Sequence, residues 1–263
     1  MTVLDQLADH ARARVAAARE ENSLDVLRAL CRERGRADGA RRFREALAAP
    51  GLSLICEVKR ASPSRGLIAR DFPYVAIARD YAAGGAAAIS CLTEPKWFLG
   101  SDAIFRDICA AVPTPMLRKD FTVDVYQLYE ARLLGADAAL LICALLDRPA
   151  LERCLAVCGE LGLAALVEAH DEAEAAMAAA AGAEIVGVNN RNLKDFTVDF
   201  SNAARLRDAV PPGVLFVAES GVRGPEDAAA LRALGADAAL VGEALMRAAD
   251  RPAALAALRR AGQ

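Results

Sequence analysis

Two hydrophobic periodicities divide the chain. Over residues 3 to 34 the apolar positions recur at helical spacing: Val3, Leu4, Leu7 and Ala8, then Val15, then Leu24, Leu27 and Leu30, with charges between them. Gly35 to Gly39 is a basic, glycine-containing break. Residues 40 to 48 read as a short helix that Pro50-Gly51 closes. No strand-like run interrupts this arm, so residues 1–50 are expected to be a helical extension packed on the main domain. From Leu52 onward short apolar runs alternate with amphipathic helical stretches. The runs predict strands at Leu54–Lys59, Ala87–Leu92, Met116–Lys119, Ala138–Cys143, Ala165–Glu168, Ile185–Asn189, Leu215–Ser220 and Ala238–Val241. Strands alternating with helices argue for a parallel sheet covered by helices. Eight such units predict a closed (β/α)8 TIM barrel over residues 51–263.

An internal echo supports the count. Gly135-Ala-Asp-Ala-Ala-Leu140 recurs letter for letter as Gly235-Ala-Asp-Ala-Ala-Leu240, and Gly85-Ala-Ala-Ala-Ile89 and Gly182-Ala-Glu-Ile185 are looser copies. Each copy precedes an even-numbered strand of the eight. The glycine is expected to end a helix in the left-handed region, and the next residues to enter the strand. A doubly wound open sheet is the structural alternative, but no Gly-x-Gly-x-x-Gly follows the first strand and no Walker-type loop is present.

Composition narrows the function classes. Of 263 residues, 55% are hydrophobic and 25% charged, which supports a sizeable core. A net charge of −3 gives no general case for nucleic acid or an anionic membrane, so any anion site must be local. The seven cysteines are scattered singly. Cys56, Cys91 and Cys143 lie in apolar runs and read as small buried hydrophobes. With two histidines and no paired Cys-x-x-Cys motif, neither a metal nor a cofactor is expected. Thiols without a disulfide framework, and no apolar signal core or membrane span, predict a cytoplasmic protein, monomeric or weakly homo-oligomeric.

In barrels of this kind chemistry sits at the C-terminal strand ends. In the first strand Glu57 and Lys59 share a face, opposite Cys56 and Val58. The later ends supply Thr93 and Glu94, then Trp97 and Phe98; Lys119, Asp120 and Phe121; Glu168; Asn189 and Arg191; Glu219, Ser220 and Gly221; and Gly242 with Glu243. The fourth end offers apolar residues, Cys143 to Leu146. Three cations, Lys59, Lys119 and Arg191, suit a substrate with more than one anionic group. Ser220-Gly221 and Gly242 follow the last two strands, where barrels bind phosphate through backbone N–H groups. Trp97, Phe98 and Phe121 offer an apolar wall. The residues point to a barrel enzyme acting on a phosphorylated small molecule by Lys and carboxylate chemistry. A Schiff-base aldolase, a ketose isomerase and a non-catalytic metabolite-binding barrel remain open.

Several segments resemble the signature stretches of the indole-3-glycerol-phosphate synthase family. They are Glu57-Val-Lys-Arg-Ala-Ser-Pro-Ser64, Leu92-Thr-Glu94, Leu117-Arg-Lys-Asp-Phe121, Leu166-Val-Glu168, Gly187-Val-Asn-Asn-Arg-Asn-Leu193 and Glu219-Ser-Gly-Val222. The resemblance spans nearly the whole chain, including the helical arm. It implies a carboxy-lyase of tryptophan biosynthesis acting on 1-(2-carboxyphenylamino)-1-deoxyribulose 5-phosphate. It implies Lys119 as general acid at the ketose carbonyl and Glu168 as general base in the dehydration. Lys59 would bind substrate anions and serve in water loss. Glu57, Asn189, Arg191 and Glu219 would orient the substrate, Ser62, Phe98, Phe121 and Leu193 would contact it, and Ser220, Gly221, Gly242 and Glu243 would take the phosphate. Trp97 and Asp195 are atypical of the family pattern.

Overall fold

The computed structural model describes residues 2–191 and 197–263, so Leu193 and Asp195 lie outside the described residues. Three helices come first: α1 (Val3–Glu21), α2 (Leu24–Glu33) and α3 (Gly39–Leu47). The continuous helical pattern of residues 3 to 34 is broken after Glu21. Asn22 turns extended, and the Ser23 hydroxyl accepts from the Val26 N–H, which starts α2 as a separate helix. At the other end of α1, Thr2 and Asp5 form a capping box.

Eight parallel strands then close a barrel in the order β1, β10, β9, β8, β7, β6, β5, β4. They are β1 (Ser53–Val58), β4 (Ala88–Leu92), β5 (Met116–Lys119), β6 (Ala138–Ile142), β7 (Ala164–Ala169), β8 (Ile185–Asn189), β9 (Leu215–Glu219) and β10 (Ala238–Val241). The positions expected from the apolar runs hold to within a residue at each end. A small antiparallel hairpin, β2 (Ala61–Ser62) with β3 (Gly66–Leu67), is set after β1. The outer ring is α4 (Tyr74–Ala83), α5 (Asp102–Ala111), α6 (Tyr126–Leu134), α7 (Arg148–Leu161), α8 (Glu172–Ala180), α9 (Ser201–Leu206), α10 (Pro225–Ala233), α11 (Glu243–Arg247) and α12 (Arg251–Ala261).

Strand alternation sorts the apolar side chains into two cores. Leu54, Cys56 and Val58 of β1 join Ile89, Val167, Val186 and Phe216 between sheet and helices. Ile55 points into the barrel with Leu117, Leu140, Leu166, Val217 and Leu240. Phe43 and Leu47 of α3 are fully buried in this inner core, beside Ala88, Ala138 and Ala238 from the strand beginnings. Helix α3 therefore plugs the N-terminal end of the barrel. Small alanines at the strand starts leave the room that Phe43 fills, and its burial contributes about 2 kcal/mol. Helix α1 is tied to the opposite end. Arg14 binds both carboxylate oxygens of the buried Asp120, at 2.6 and 3.0 Å.

The sequence echo has a structural reason. Gly135 and Gly235 both take the left-handed conformation, with φ of 96° and 82°. Two residues on, each aspartate reaches back to the preceding strand. Asp137 Oδ2 accepts from the Met116 N–H at 2.8 Å, and Asp237 Oδ2 accepts from the Phe216 N–H at 2.7 Å. Asp137 additionally accepts from Arg42 of α3 at 2.8 Å. Replacing Asp137 by Ala orphans a buried N–H and the plug helix's anchor together. It is expected to lower unfolding free energy by about 2 kcal/mol, and Asp237→Ala by about 1 kcal/mol, in denaturant titrations.

Candidate active site

The strand ends surround a cavity of about 510 Å³. That volume suits a small-molecule ligand. Glu57 and Lys59 project into it from β1, Lys119 from β5, Glu168 from β7, Asn189 from β8 and Glu219 from β9. The Lys59 ammonium donates to Glu57 Oε1 at 2.5 Å. Lys119 Nζ stands between two carboxylates, 3.7 Å from Glu168 Oε2 and 3.6 Å from Glu219 Oε2. All three glutamates are buried.

Their protonation follows from who stands beside whom. Burial pushes the Glu168 carboxyl up, but Lys119, His170 and Asn189 more than offset this and hold it well below the usual range. Burial likewise raises Glu57, and Lys59 and Lys119 bring it below its ordinary value. Glu219 goes the other way. Burial and the neighbouring Glu168 charge push it up, and Lys119 offsets only part of that. Its Oε1 is buried without a hydrogen-bond partner among the described residues. Burial would lower the Lys119 ammonium, but Glu219, Glu168 and Glu57 keep it above the ordinary lysine value. At neutral pH the centre thus holds a protonated amine next to an ionised carboxylate, which is an acid and a base in one cavity.

One side of the cavity is built from the turns that follow β9 and β10. Ser220 and Gly221 follow β9 with left-handed φ of 65° and 93°, a conformation costly for serine and typical of functional turns. Gly242 follows β10, and a methyl there would come 2.6 Å from Glu57 Oε1 and 3.1 Å from Lys59 Nζ. Glycine at this place lets the Glu57–Lys59 pair lie against the backbone. The Glu243 carboxylate accepts from Arg65 at 3.2 Å and from Arg247 at 3.1 Å, so its side chain is occupied at the cavity wall. Arg191 also lines this side, its basicity reduced by burial. The apolar wall is Phe98 and Phe121, with ring centroids 5.9 Å apart. Ser62 of the hairpin lines the mouth.

The structure thus gathers fourteen of the fifteen candidate residues around one cavity, and Leu193 is outside the described residues. Four other strand-end residues turn away from it or serve as its scaffold. Thr93 donates to Asp120 at 2.6 Å. Asp120, although at the cavity wall, is taken up by Arg14 and Thr93. The buried Glu94 accepts from the backbone N–H groups of Lys96, Trp97 and Phe98 and so folds its own loop. Trp97 is not part of the wall: its ring packs edge-on against His10 at 5.3 Å. Sequence reasoning missed Val3, Leu4 and Leu7 of α1, which line the cavity, and Arg65, Arg223 and Arg247 at its rim. Helical periodicity marks the α1 residues as apolar but does not say what they face.

A buried acid–base cluster of lysines and glutamates at the C-terminal rim, beside glycine-containing turns, defines a (β/α)8 barrel enzyme for phosphorylated small molecules. Within that class the chain belongs to the indole-3-glycerol phosphate synthase family, whose model matches residues 4–258. A protein of Ruminiclostridium cellulolyticum named indole-3-glycerol phosphate synthase is 56% identical over 217 residues, covering 82% of this chain and 84% of its own. One of Streptomyces griseus with the same name is 49% identical over 262 residues, covering 100% of this chain and 96% of its own. The solved structure of thiamine phosphate pyrophosphorylase from Pyrococcus furiosus superposes with a TM-score of 0.61 over 80% of this chain and 95% of its own. At 20% identity that likeness shows the fold alone.

Lys119 is the charge that lets Glu168 and Glu219 share a buried site. Lys119→Met is expected to push the Glu219 carboxyl further above its unfolded pKa, because the cation that offsets part of its burial is gone, while Glu168 keeps His170. A raised carboxyl pKa stabilises the folded state only while the proton is on, so the variant should lose stability as pH rises from 5 to 8. Urea titrations across that range check it, the wild type, in which Lys119 offsets part of the rise at Glu219, losing less.

Proposed function

We propose that this protein converts 1-(2-carboxyphenylamino)-1-deoxyribulose 5-phosphate to indole-3-glycerol phosphate. The observation that carries this is the placement of Lys119 between Glu168 and Glu219 at the centre of a cavity with one anion-binding and one aromatic side. The membership of the chain in the indole-3-glycerol phosphate synthase family supports it. The substrate has three parts to be held. Its phosphate suits the N–H groups of the Ser220-Gly221 and Gly242-Glu243 turns. Its aryl ring suits Phe98 and Phe121, with Leu4 and Leu7 behind. Its carboxylate suits Lys59 and Arg191. Glu57 and Asn189 set the orientation, and Ser62 contacts the substrate from the hairpin.

The steps follow from the geometry. The ring carbon that bears the carboxylate attacks the ketose carbonyl carbon. Lys119 gives its proton to the carbonyl oxygen, which becomes a hydroxyl. The C–CO2 bond breaks, its electron pair returns to the ring, and carbon dioxide leaves. The hydroxyl then departs as water, with Lys59 or Lys119 supplying the proton and Glu168 removing one from the substrate, and the indole forms. Without substrate, Lys119 and Glu168 hold each other in their charged forms, the donor protonated and the base ionised. Substrate entering between them weakens that pairing, lowers the amine's hold on its proton and raises the carboxylate's affinity for one. Folding a flexible chain so that ring and carbonyl meet is the other part of the rate. The seven unpaired cysteines support work in a reducing, cytoplasmic setting.

The test is to supply this substrate and follow indole absorbance and fluorescence. Wild-type protein is expected to turn it over. Lys119→Ala is expected to lose roughly three or more orders of magnitude in kcat, since the carbonyl would have no proton donor. Near-full rate in that variant would show the general acid to be wrong. Trapping of substrate on Lys59 or Lys119 by borohydride would instead establish a Schiff-base aldolase.

A further inference from the structure

One charged side chain lies behind the site and outside the cavity wall. His170 follows β7 directly, two residues beyond Glu168. Its Nε2 lies 3.3 Å from Glu168 Oε1, while Lys119 holds the other oxygen, Oε2, at 3.7 Å. On its far side His170 Nδ1 is 3.1 Å from Glu174 Oε2 of α8, the same oxygen that accepts from the His170 backbone N–H at 2.8 Å. The imidazole thus lies between two carboxylates, hydrogen-bonded to Glu174 and at ion-pair distance from Glu168. From α9, Asn202 faces it with its amide, donating toward the His170 carbonyl at 3.4 Å, and Arg205 is engaged on Asn202 Oδ1. Asp171, next in the chain, caps α8 by accepting from the Glu174 N–H. Beyond Glu168 stand Lys119 of β5, Glu219 of β9 and Glu57 of β1.

We infer that His170 is a positioning residue for Glu168: a second, permanent cation that fixes the carboxylate and keeps it ionised when Lys119 gives up its proton. The inference rests on the reaction proposed above. The argument is one of charge. In that reaction Lys119 changes from ammonium to amine. With Lys119 alone for support, the buried Glu168 beside Glu219 would then take up a proton and cease to be a base. A cation on the opposite oxygen, outside the cavity and not in contact with substrate, removes that dependence. It also stops Glu168 from taking the proton that Lys119 should deliver to the carbonyl. Glu57 and Glu168, the two glutamates held in their ionised forms, then each have a cation of their own beside the shared Lys119: Lys59 for Glu57 and His170 for Glu168.

Desolvation alone would lower the basicity of His170, and Glu168 and Glu174 reverse that, raising it from 6.5 to about 10. A folded-state pKa above the unfolded one contributes stability that is full below pH 6.5 and lost as pH rises through about 10.

The chain has two histidines, so NMR of the imidazole ring signals resolves the charge state of His170 against His10. In the substrate-free wild type, His170 is expected to keep imidazolium shifts up to about pH 9. Titration of His170 near the ordinary histidine value would overturn the inference. The second arm is the pH profile of kcat, which reports the substrate-loaded site. In His170→Gln the acid limb is expected to move up by about one unit, with KM little changed and most of the rate kept at pH 8. His170→Lys, which restores a cation, should bring the limb back. A rate that falls by the same factor at every pH, with no shift of the limb, would mean a merely structural residue and would overturn it. Failure of the wild type to turn the substrate over overturns the reaction itself. That outcome is separable, because the ring titration needs no substrate.

Discussion

The ionic cluster around Lys119 is the constraint that the rest of the molecule serves. Three glutamates are buried at one end of a barrel whose interior is otherwise apolar. An isolated buried carboxylate costs several kcal/mol, so these charges are tolerable only as a matched set. Matching requires side chains from β1, β5, β7 and β9 to meet within hydrogen-bond or ion-pair distance. Only a closed sheet brings strands so far apart in the chain to a common axis. The barrel's parallel register does this by aligning the strand ends: Val167 pairs with Val186 and Asn189 with Glu219 across neighbouring strands.

That arrangement divides the labour between the two ends of the barrel. At the N-terminal end, Phe43 and Leu47 of α3 fill the opening and Asp137 ties that helix to the start of β5. At the C-terminal end α1 leaves the opening free and instead lends Val3, Leu4 and Leu7 to one wall. The Arg14–Asp120 pair and the Tyr126 hydroxyl, which donates to the Ala18 carbonyl at 3.0 Å, hold α1 in that place. The helices ahead of the barrel are thus both a stopper for the stable end and a wall of the reactive end.

The barrel itself was legible because its signals are periodic and redundant: eight apolar runs, and an echo whose glycine and aspartate repeat one backbone device. The candidate site was legible wherever strand alternation decides direction, as at Glu57, Lys119, Glu168 and Glu219. It failed in the loop after β4, where direction depends on local hydrogen bonds. Glu94 follows β4 as Glu168 ends β7, yet three backbone N–H groups turn its carboxylate into its own loop. Trp97, in the same loop, is carried away from the cavity toward His10. His170 offered no signal in sequence, because a lone histidine beyond a strand has no period and gains meaning only from Glu174 on the helix opposite.

The placement of His170 bears on why acid and base can be so unequal in strength in the resting protein. Lys119 is held above, and Glu168 below, its ordinary pKa, which is the wrong direction for proton transfer in each case. The ion pair is a storage form that guarantees the right proton on each group before substrate arrives. Substrate separates the two, and each then moves toward its working strength. On the proposed reaction each group loses one partner and keeps one: Lys119 keeps Glu219, and Glu168 keeps His170. The retained carboxylate holds the amine in its protonated form until the carbonyl needs the proton, and the retained imidazole holds the carboxylate ionised until the later dehydration.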